Sequence, residues 1–446
     1  MKKQFTTCLS ALLLCFVAKT NIKAQVYSIG TPTSNIDNLT IPSGVSDDGK
    51  VIGLSSVSAN YYYTQQAGLV KIGSFVNDNL YTAGKVGITK DGKKAVLYSG
   101  NAQDNVNQMA IYNIDSKTWQ YLGSTSGGTF KKDDTTPYGM TPDGSTIVGM
   151  ALADDYSYVK GISWNSTTGM KDVGSIIPDN VYGVYDVSDN ASVMVGFQTA
   201  EDGSRYASYW KNGTQKVFDE DSGMPLNPFE AVSGDGKWAL GSTYTKAIMW
   251  NETAGLKELN YTHTSNPEAV GVATAANYDA SIVIGYYIGE EYSIPGDGEG
   301  FIYFKNSGIK NLNTYVKSLG FDDLGITFSS PLAMSSNGKQ IIGVGSKANG
   351  LMVPFLITLP DSVLATNNVK SNDIEIYPNP VVTDLNVKTS GKIESFDIFD
   401  MSGKKVTSNK SAAGDKSINV ASLPKGTYLV KLIIDGEIVT KQFVKK

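Results

Sequence analysis

Short runs of alternating apolar and polar residues, separated by turns rich in glycine, make up most of the chain. One unit recurs: a small or apolar residue, Ser or Thr, two turn residues, and a β-branched run that ends at a glycine. The Asp-Gly and Asn-Gly pairs of these units favour the positive φ angles of hairpin turns, and the run after each turn is predicted to form a buried strand. The copies begin at Gly44, Gly87, Gly139, Asp186, Ala231, Ala276 and Ala333.

A second unit alternates with the first and consists of an aromatic strand, a glycine turn and a strand that ends near Leu or Val. Two hairpins in each repeat make four strands, and four-stranded units spaced roughly 43 to 58 residues apart are typical of a β-propeller. The pattern therefore predicts an all-β, seven-bladed propeller over residues 25–360. Eight blades, or six with one degraded copy, stay open because Phe75–Val86 and Thr125–Thr136 are irregular.

The ends of the repeat array predict how the ring closes. The seventh copy supplies three strands and stops at Pro360, whereas a spare β-like segment, Gln25–Gly30, precedes the first copy. We expect this N-terminal strand to close the last blade, because a strand shared between the two ends of a ring hides its edges. Residues 361–372 are polar and lack glycine, and we interpret them as a linker.

The two alternating units resemble known repeats. A Ser-x-Asp-Gly turn with a Val- or Ile-rich strand, followed by an aromatic strand with a Gly turn, is similar to the HAF-type extracellular repeat. It is similar, more loosely, to WD40-type repeats. The resemblance implies an extracellular β-propeller.

The last part of the chain carries several spaced motifs. Their residues are Tyr377, Pro378, Asn379, Pro380, Gly403, Gly426, Tyr428, Lys445 and Lys446. Together they resemble the type A sorting domain of the type IX secretion system, which Bacteroidota attach to proteins sent across the outer membrane. The resemblance covers residues 367–446 and implies a small immunoglobulin-like β-sandwich over residues 373–446. It also implies the secretion machinery as a partner, a secreted or cell-surface location, and a cut in or near residues 361–372 after translocation.

The N-terminus predicts export as well. A basic start is followed by a short apolar stretch and by Ala24, the arrangement of a signal peptide over residues 1–24. The stretch is shorter than the about 20 apolar residues of a spanning helix, so we expect export to the periplasm and no transmembrane segment. A lipoprotein signal acylated at Cys15 is the alternative, although Leu14 stands where such signals have a small residue.

Composition excludes several kinds of site. Both cysteines, Cys8 and Cys15, lie in the predicted signal, so the mature chain has no disulfide and no zinc–thiolate site. The net charge is −5 over 446 residues and no basic stripe occurs, so we expect no nucleic-acid partner. Glycine (46) and tyrosine (25) are abundant, as in extracellular β-proteins with many turns.

Catalytic material is scarce. The single histidine, His263, lies in a polar stretch and is interpreted as a solvated loop residue, and no nucleophile, zinc or phosphate-loop motif occurs. We therefore predict no catalytic or cofactor-binding residue. One acidic cluster is a candidate for calcium, although its spacing fits no EF-hand-like loop. It consists of Glu290, Glu291, Asp297 and Glu299.

Two further groups recur on the predicted turns and strands. The aspartates of the Asp-Gly turns are interpreted as turn formers, and they are Asp48, Asp91, Asp143 and Asp235. Most strand aromatics are expected to pack between blades, and the remainder to offer surfaces for sugar rings or peptide side chains.

Three functions are consistent with these patterns. The leading hypothesis is a secreted or cell-surface propeller that binds an extracellular glycan or protein through its loops. The first alternative is a glycan-active hydrolase or lyase that uses loop carboxylates, and the second is a structural surface component. A convergent acidic pair in the central channel would favour the enzyme, whereas an aromatic-lined channel poor in carboxylates would favour the binding protein.

Overall fold

The structure of the protein is a computed structural model that describes residues 25–73, 84–101, 106–123, 135–152, 159–177, 180–261, 263, 266, 268–289, 296–361, 363, 374–389, 393–401, 404–410, 416–434 and 437–446. The predicted signal peptide and most of the predicted linker lie outside these residues. Nearly all regular structure in the described part is β-strand, and the strands form antiparallel sheets.

The repeats fold into seven four-stranded sheets, which confirms the prediction of seven blades. The array begins with β1 (Gln25–Ser28), β2 (Ile41–Val45), β3 (Ile52–Ser55), β4 (Asn60–Thr64), β5 (Gly68–Ile72), β6 (Gly87–Ile88), β7 (Lys94–Asn101), β8 (Val106–Asn113) and β9 (Thr118–Tyr121). The third and fourth blades consist of β10 (Thr135–Met140), β11 (Thr146–Leu152), β12 (Val159–Asn165), β13 (Gly169–Asp172), β14 (Tyr182–Val187), β15 (Val193–Thr199), β16 (Arg205–Lys211) and β17 (Thr214–Phe218).

The remaining three blades follow the same plan. They consist of β18 (Ala231–Val232), β19 (Ala239–Ser242), β20 (Ala247–Asn251), β21 (Gly255–Glu258), β22 (Val270–Ala276), β23 (Ile282–Ile288), β24 (Glu299–Phe304), β25 (Gly308–Asn311), β26 (Ile326–Met334), β27 (Gln340–Lys347) and β28 (Met352–Thr358). A short 3₁₀ helix, Ile36–Asn38, precedes the first blade.

The N-terminal strand β1 completes the seventh blade, as the sequence predicts. It pairs antiparallel with β28, and Val26 lies opposite Ile357. Val26 is buried in the same apolar core as Ile357. The last blade therefore takes its outermost strand from the other end of the array, which closes the ring.

The repeated turns are held by their own side chains. The Ser46 hydroxyl donates to Asp48 Oδ1 at 2.8 Å and accepts from the Val51 N–H at 3.1 Å. The Lys50 N–H donates to the same Asp48 oxygen at 3.0 Å. Hydrogen bonds of this kind recur in the turns that begin at Thr89, Thr141, Ser188, Ser233 and Ser335. The predicted turn aspartates are therefore engaged inside their turns.

Apolar cores lie between neighbouring blades. Trp250 of the fifth blade packs against Tyr209 and Phe218 of the fourth, with ring centroids 5.3 and 4.8 Å apart. Most of the strand aromatics are buried in such cores, as expected, including Tyr62, Trp164, Tyr209, Trp210, Trp250, Tyr287, Tyr303 and Phe304.

One helix was not predicted. Helix α1 (Leu312–Ser318) follows the outermost strand of the sixth blade, and the Asn311 side chain caps it by accepting from the Thr314 N–H at 2.9 Å. Leu312 and Val316, four residues apart on one face, are fully buried against the core of the last two blades.

The C-terminal domain is a two-sheet sandwich. Its strands are β29 (Glu375–Tyr377), β30 (Asp384–Lys388), β31 (Ile393–Asp400), β32 (Lys405–Lys410), β33 (Ser417–Asn419), β34 (Gly426–Ile434) and β35 (Glu437–Lys445). One sheet has the order β29-β30-β33 and the other β32-β31-β34-β35. A single core that includes Leu385, Ile398 and Val430 lies between them, as expected for a sandwich.

Candidate functional site

The inner strands of the seven blades surround a central channel. Its cavity encloses about 520 Å³ and is lined by residues from every blade. This volume lies in the range of small-molecule sites, and functional sites of propellers are expected where loops and inner strands face a shared space. The channel is therefore the candidate functional site.

Inner strands reach the channel through a β-bulge. In blades 1, 3, 4, 6 and 7 the register with the second strand shifts at this point, so the bulged strand contributes one extra residue. The position lies three residues before the turn Ser, Thr or Asn, and we call its occupants the bulge ring. They are Ser43, Val86, Tyr138, Tyr185, Glu230, Thr274 and Leu332. All except the buried Val86 line the channel.

The residue after the bulge is Gly or Ala in every blade but the fourth. A Cβ atom on Gly44 would lie 2.4 Å from the Val86 carbonyl oxygen of the next blade, so the close approach of the inner strands excludes a side chain there. The fourth blade has Asp186 instead. Its Oδ2 accepts a 2.9 Å hydrogen bond from the Val232 N–H of the fifth blade. One carboxylate therefore stands in the channel where six blades have no polar side chain.

A second carboxylate, Glu230 of the bulge ring, lines the same cavity. Burial raises the pKa of Asp186 to about 6, against the lowering effects of the Val232 N–H and of Lys85. Burial also raises the pKa of Glu230, and Lys85 again acts in the opposite direction. Lys85, from the second blade, is therefore the cation that both channel carboxylates share.

Three tyrosines surround Glu230. Tyr138 and Tyr185 belong to consecutive blades, and their ring centroids lie 5.3 Å apart. Tyr286 reaches the cavity from the second strand of the sixth blade. Burial raises the pKa of Tyr286 to about 12, and the charge of Glu230 contributes to the rise. These phenols remain protonated at neutral pH and can donate hydrogen bonds.

Arg205 adjoins this aromatic group. Its guanidinium lies 4.6 Å from the centroid of the Phe197 ring, which packs against Tyr185 at 5.4 Å. Burial and the Glu230 charge raise the pKa of the Tyr185 hydroxyl, whereas Arg205 opposes that rise. An arginine therefore faces the channel tyrosines from outside the cavity wall.

The mouth of the channel on the turn side is also charged. Lys90, Asp189 and the half-exposed Tyr278 occupy the same position in three different turns and line the cavity. Burial raises the pKa of Asp189, and Lys90 lowers it. Backbone hydrogen bonds join neighbouring turns, for example from the Asp189 N–H to the Gly234 carbonyl at 3.0 Å. The mouth is therefore a rigid, mixed-charge rim.

A second cavity, of about 480 Å³, lies beside the N-terminal strand where the ring closes. Four of its five charged groups form ion pairs: Lys50 Nζ lies 2.9 Å from Asp48, and Lys339 pairs with Asp361. The fifth, Asp47, accepts from the Ser336 hydroxyl at 2.8 Å. The channel is the stronger candidate, because among the described residues neither Asp186 nor Glu230 forms an ion pair as close as these.

The acidic cluster predicted from the sequence is divided in the structure. Glu290 and Glu291 lie outside the described residues, Asp297 is exposed, and Glu299 is buried. Glu299 Oε1 accepts hydrogen bonds from the Tyr261 hydroxyl and from the Asn311 amide. Among the described residues, no group of three or more His, Cys, Asp and Glu side chains could hold a metal ion. Calcium binding therefore stays a prediction.

The interpretation of His263 as a solvated loop side chain is wrong. Its side chain is 10% exposed, and Nε2 lies 3.6 Å from Glu299 Oε2. Its Nδ1 accepts a 3.0 Å hydrogen bond from the Asn266 N–H. Both ring nitrogens have partners, so His263 ties the connection between the fifth and sixth blades to strand β24.

The C-terminal motifs come together on one edge of the sandwich. The Asn379 side chain accepts from the Val444 N–H at 2.9 Å and donates to the Gln442 carbonyl at 3.2 Å. Val381 and Lys445 form a parallel bridge. Gly403 lies outside the described residues, and the Tyr428 hydroxyl donates to the Pro424 carbonyl at 2.9 Å. The Pro-Asn-Pro motif therefore holds the basic end of the chain.

This arrangement agrees with a comparison against protein families. Residues 375–446 match the family described as the secretion system C-terminal sorting domain. Residues 375–446 are a type IX secretion sorting domain. The sorting domain indicates secretion and a cell-surface or extracellular location, with the type IX machinery as its partner. In the described residues, no helix has the length and apolarity needed to span a bilayer.

Two solved structures show a distant likeness to this chain. Oligogalacturonate lyase from Vibrio parahaemolyticus is 12% identical with a TM-score of 0.43, over 76% of this chain and 99% of that one. TolB from Acinetobacter baumannii is 12% identical with a TM-score of 0.38, over 69% of this chain and 76% of that one. We draw no function from likenesses at this level. The curated proteins contain no match to this chain.

The channel residues were not found from the sequence, although a signal was present. Six of the seven repeat copies begin one residue after the bulge, and Asp186 is the only acidic residue among the first positions of the copies. Extending the alignment by one residue would have shown Tyr138, Tyr185 and Glu230 at one equivalent position. Of the strand aromatics considered for ligand contact, Tyr286 lines the channel.

Proposed function

We propose that this protein is a propeller, exported by the type IX system, that binds an extracellular ligand in its central channel. The proposal includes a signal peptide at residues 1–24, a propeller over residues 25–360, and a linker at 361–372 where the sorting domain over 373–446 is removed. The observation that carries it is the convergence of Asp186, Glu230 and the three channel tyrosines on one cavity.

The residues that close the ring and those that face the channel are different, which supports a binding role. The turn side chains and the Gly or Ala after each bulge serve the fold, whereas the bulge ring varies from blade to blade. A fixed ring with variable inward positions is suited to present a set of ligand contacts.

The experiment is a screen of residues 25–446 against a glycan array and a displayed peptide library. The double variant Asp186→Asn/Glu230→Gln is screened in parallel, with Glu252→Gln as the matched outer-surface control. We expect at least one ligand to bind the parent and the control variant but not the double variant. If every ligand of the parent also binds the double variant, the channel is not the binding site.

A glycan-active hydrolase or lyase is the second candidate, because two carboxyl groups with raised pKa values line one cavity. This acidic pair is the feature that favours an enzyme, and binding is placed first because three tyrosines share the cavity wall with the pair. The catalytic carboxylates would then be Asp186 and Glu230 rather than the loop carboxylates predicted from the sequence. Incubation with mixed polysaccharides, followed by assays for new reducing ends and for unsaturated products, tests it. If the protein turns over a polysaccharide, and Asp186→Asn abolishes this turnover without unfolding the protein, the enzyme hypothesis replaces the binding hypothesis.

A further inference from the structure

We infer that the channel binds a neutral, polyhydroxylated ligand, the uncharged end of a saccharide, between the channel tyrosines and the carboxylates of Asp186 and Glu230. The inference rests on the proposed function, since it names the ligand class of the same channel.

The first argument is charge balance. The charged side chains that line the cavity are the carboxyls of Asp186, Asp189 and Glu230 and the ammonium groups of Lys85 and Lys90. Arg205 adjoins Tyr185 just behind the wall and supplies a third cation. The lining charges differ by one, and Arg205 offsets this difference from behind the wall, so the cavity has no strong charge of either sign to attract an ionic ligand.

The second argument is the supply of hydrogen-bond acceptors. Within the described part of the chain, Asp186 accepts from the Val232 N–H, whereas burial and the Lys85 charge act on the Glu230 carboxylate without a hydrogen bond. A half-buried carboxylate without protein donors has free acceptor capacity, and several donors from a ligand would satisfy it. A sugar ring presents several hydroxyl groups in a small space, whereas a peptide backbone presents one N–H per residue.

The third argument is the shape of the wall. Tyr138 and Tyr185 stand side by side at 5.3 Å between ring centroids, and Glu230 follows them on the next blade. Their rings are half-buried, so part of each faces the cavity. The apolar C–H face of a pyranose fits such rings, and its hydroxyl groups would then point toward the carboxylates.

Other hydroxyl groups of the bulge ring are already in use. Ser43 accepts from the Val86 N–H at 2.8 Å, and Thr274 donates to the Pro331 carbonyl at 2.8 Å. These two hydrogen bonds link neighbouring blades. Recognition is therefore assigned to the third, fourth and fifth blades, where Tyr138, Tyr185 and Glu230 are adjacent.

The test measures binding of hexasaccharides to residues 25–446 by calorimetry. The neutral probes are cellohexaose, maltohexaose, laminarihexaose and mannohexaose, and the charged probes are hexagalacturonate and the hexamer of glucosamine. A pool of ten-residue peptides forms the third arm. We expect at least one neutral hexasaccharide to bind, and neither charged probe nor the peptide pool to bind as tightly.

Five variants locate the binding. Glu230→Gln keeps the shape of the side chain, Tyr138→Ala removes a ring, and each should weaken the neutral probe at least tenfold. Glu252→Gln and Tyr244→Ala, on exposed outer residues, are the matched controls and should bind like the parent. Tyr138→Phe keeps the ring and should retain most of the affinity, which guards against a folding defect in Tyr138→Ala.

Every other outcome overturns the neutral-saccharide inference, alone or together with the proposed function. Channel-dependent binding of only a charged saccharide or a peptide overturns the neutral-saccharide inference and leaves the proposed function standing. Neutral binding that is unchanged in Glu230→Gln and Tyr138→Ala overturns both. Binding of no neutral probe overturns the inference alone, because the array and peptide screen decide the proposed function separately.

Discussion

Nε2 of His263 lies 3.6 Å from Oε2 of Glu299, and both side chains are 10% exposed. The same glutamate receives the Tyr261 hydroxyl and the Asn311 amide, so residues from both sides of the sixth blade meet at one carboxylate. The only histidine of the chain therefore has a structural role, in which it anchors the connection that leads into the sixth blade.

His263→Ala should lower the free energy of unfolding by about 1–3 kcal/mol, because it leaves a buried carboxylate with one partner fewer. Chemical denaturation followed by circular dichroism measures this loss. Tyr244→Ala, which truncates a 63% exposed side chain, is the control and should change stability by no more than about 0.5 kcal/mol. Equal denaturation curves for His263→Ala and the parent would show that the contact with Glu299 contributes nothing.

The N-terminal strand should be needed for stability. Deleting residues 25–31 removes the partner of β28 and exposes Ile357. Lost burial and ladder bonds should cost several kcal/mol of the about 5–15 kcal/mol typical of a domain. Calorimetry should show a sharp drop in Tm together with aggregation, whereas Gln25→Ala, which changes an exposed side chain of the same strand, should not. A deletion variant that melts with the parent would mean that the strand is dispensable for closure.

Two turns contain alanine where the others have glycine. Ala191 adopts φ 57° at the position where Gly144 of another turn adopts φ 70°. A Cβ in the left-handed region costs about 1 kcal/mol, so Ala191→Gly should stabilise the protein by up to that amount. Gly144→Ala is the reciprocal variant and should destabilise it. The denaturation midpoints of the two variants should move in opposite directions, and a shift of both in the same direction would contradict this account.

The buried carboxyl of Asp186 should make stability depend on pH. Its folded pKa is about 6, above the usual value of 3.8 for an aspartate, so the folded state binds the proton more tightly. The associated stability is full below pH 3.8 and is lost as the pH rises through about 6, with an upper limit of about 3 kcal/mol. The Tm of Asp186→Asn should therefore exceed that of the parent by a margin that grows between pH 4 and about 7. A constant margin across this range would rule out titration of Asp186.

The sorting domain should depend on the contact between its opening motif and its last strand. Asn379→Ala removes the hydrogen bonds to Val444 and Gln442, so it should reduce surface export. Deleting residues 375–446 should abolish export and leave the propeller in the periplasm. Cell fractionation and immunoblotting measure both effects. Asn419→Ala, which removes side-chain bonds to Asp384 and Ala421 on another strand, is the control and should export normally. Normal export of the Asn379→Ala variant would show that the contact is not part of the signal.

The propeller architecture could be predicted because each repeat carries its turn and strand signals in adjacent residues. The turn residues and the apolar runs after them define the hairpins, and the missing seventh outer strand could be inferred from the spare segment that contains Val26. The channel could not be inferred in the same way, because a bulge changes where a side chain points without changing the apolar pattern. Tyr185 and Asp186 face the channel only because of a register shift between Val184 and Asp186.

Two other features were not predicted, for different reasons. His263 stands in a polar stretch, and nothing near it indicates Glu299 as a partner. Helix α1 was missed because the aromatic unit of the sixth repeat was assumed to end in a strand and a loop. Its signals were present locally, in the Asn311 cap and the spacing of Leu312 and Val316.

The bulge ring has a practical consequence for protein engineering. Its members occupy equivalent backbone positions, and in blades 3, 4 and 5 the side chains line the channel and lie outside the apolar cores between blades, although Tyr185 also contacts Phe197. A combinatorial library at Tyr138, Tyr185 and Glu230 should therefore yield folded variants at high frequency, since the turns and the residues after the bulges stay unchanged. Selection from such a library would turn the exported ring into a scaffold whose specificity is reprogrammed separately from its secretion.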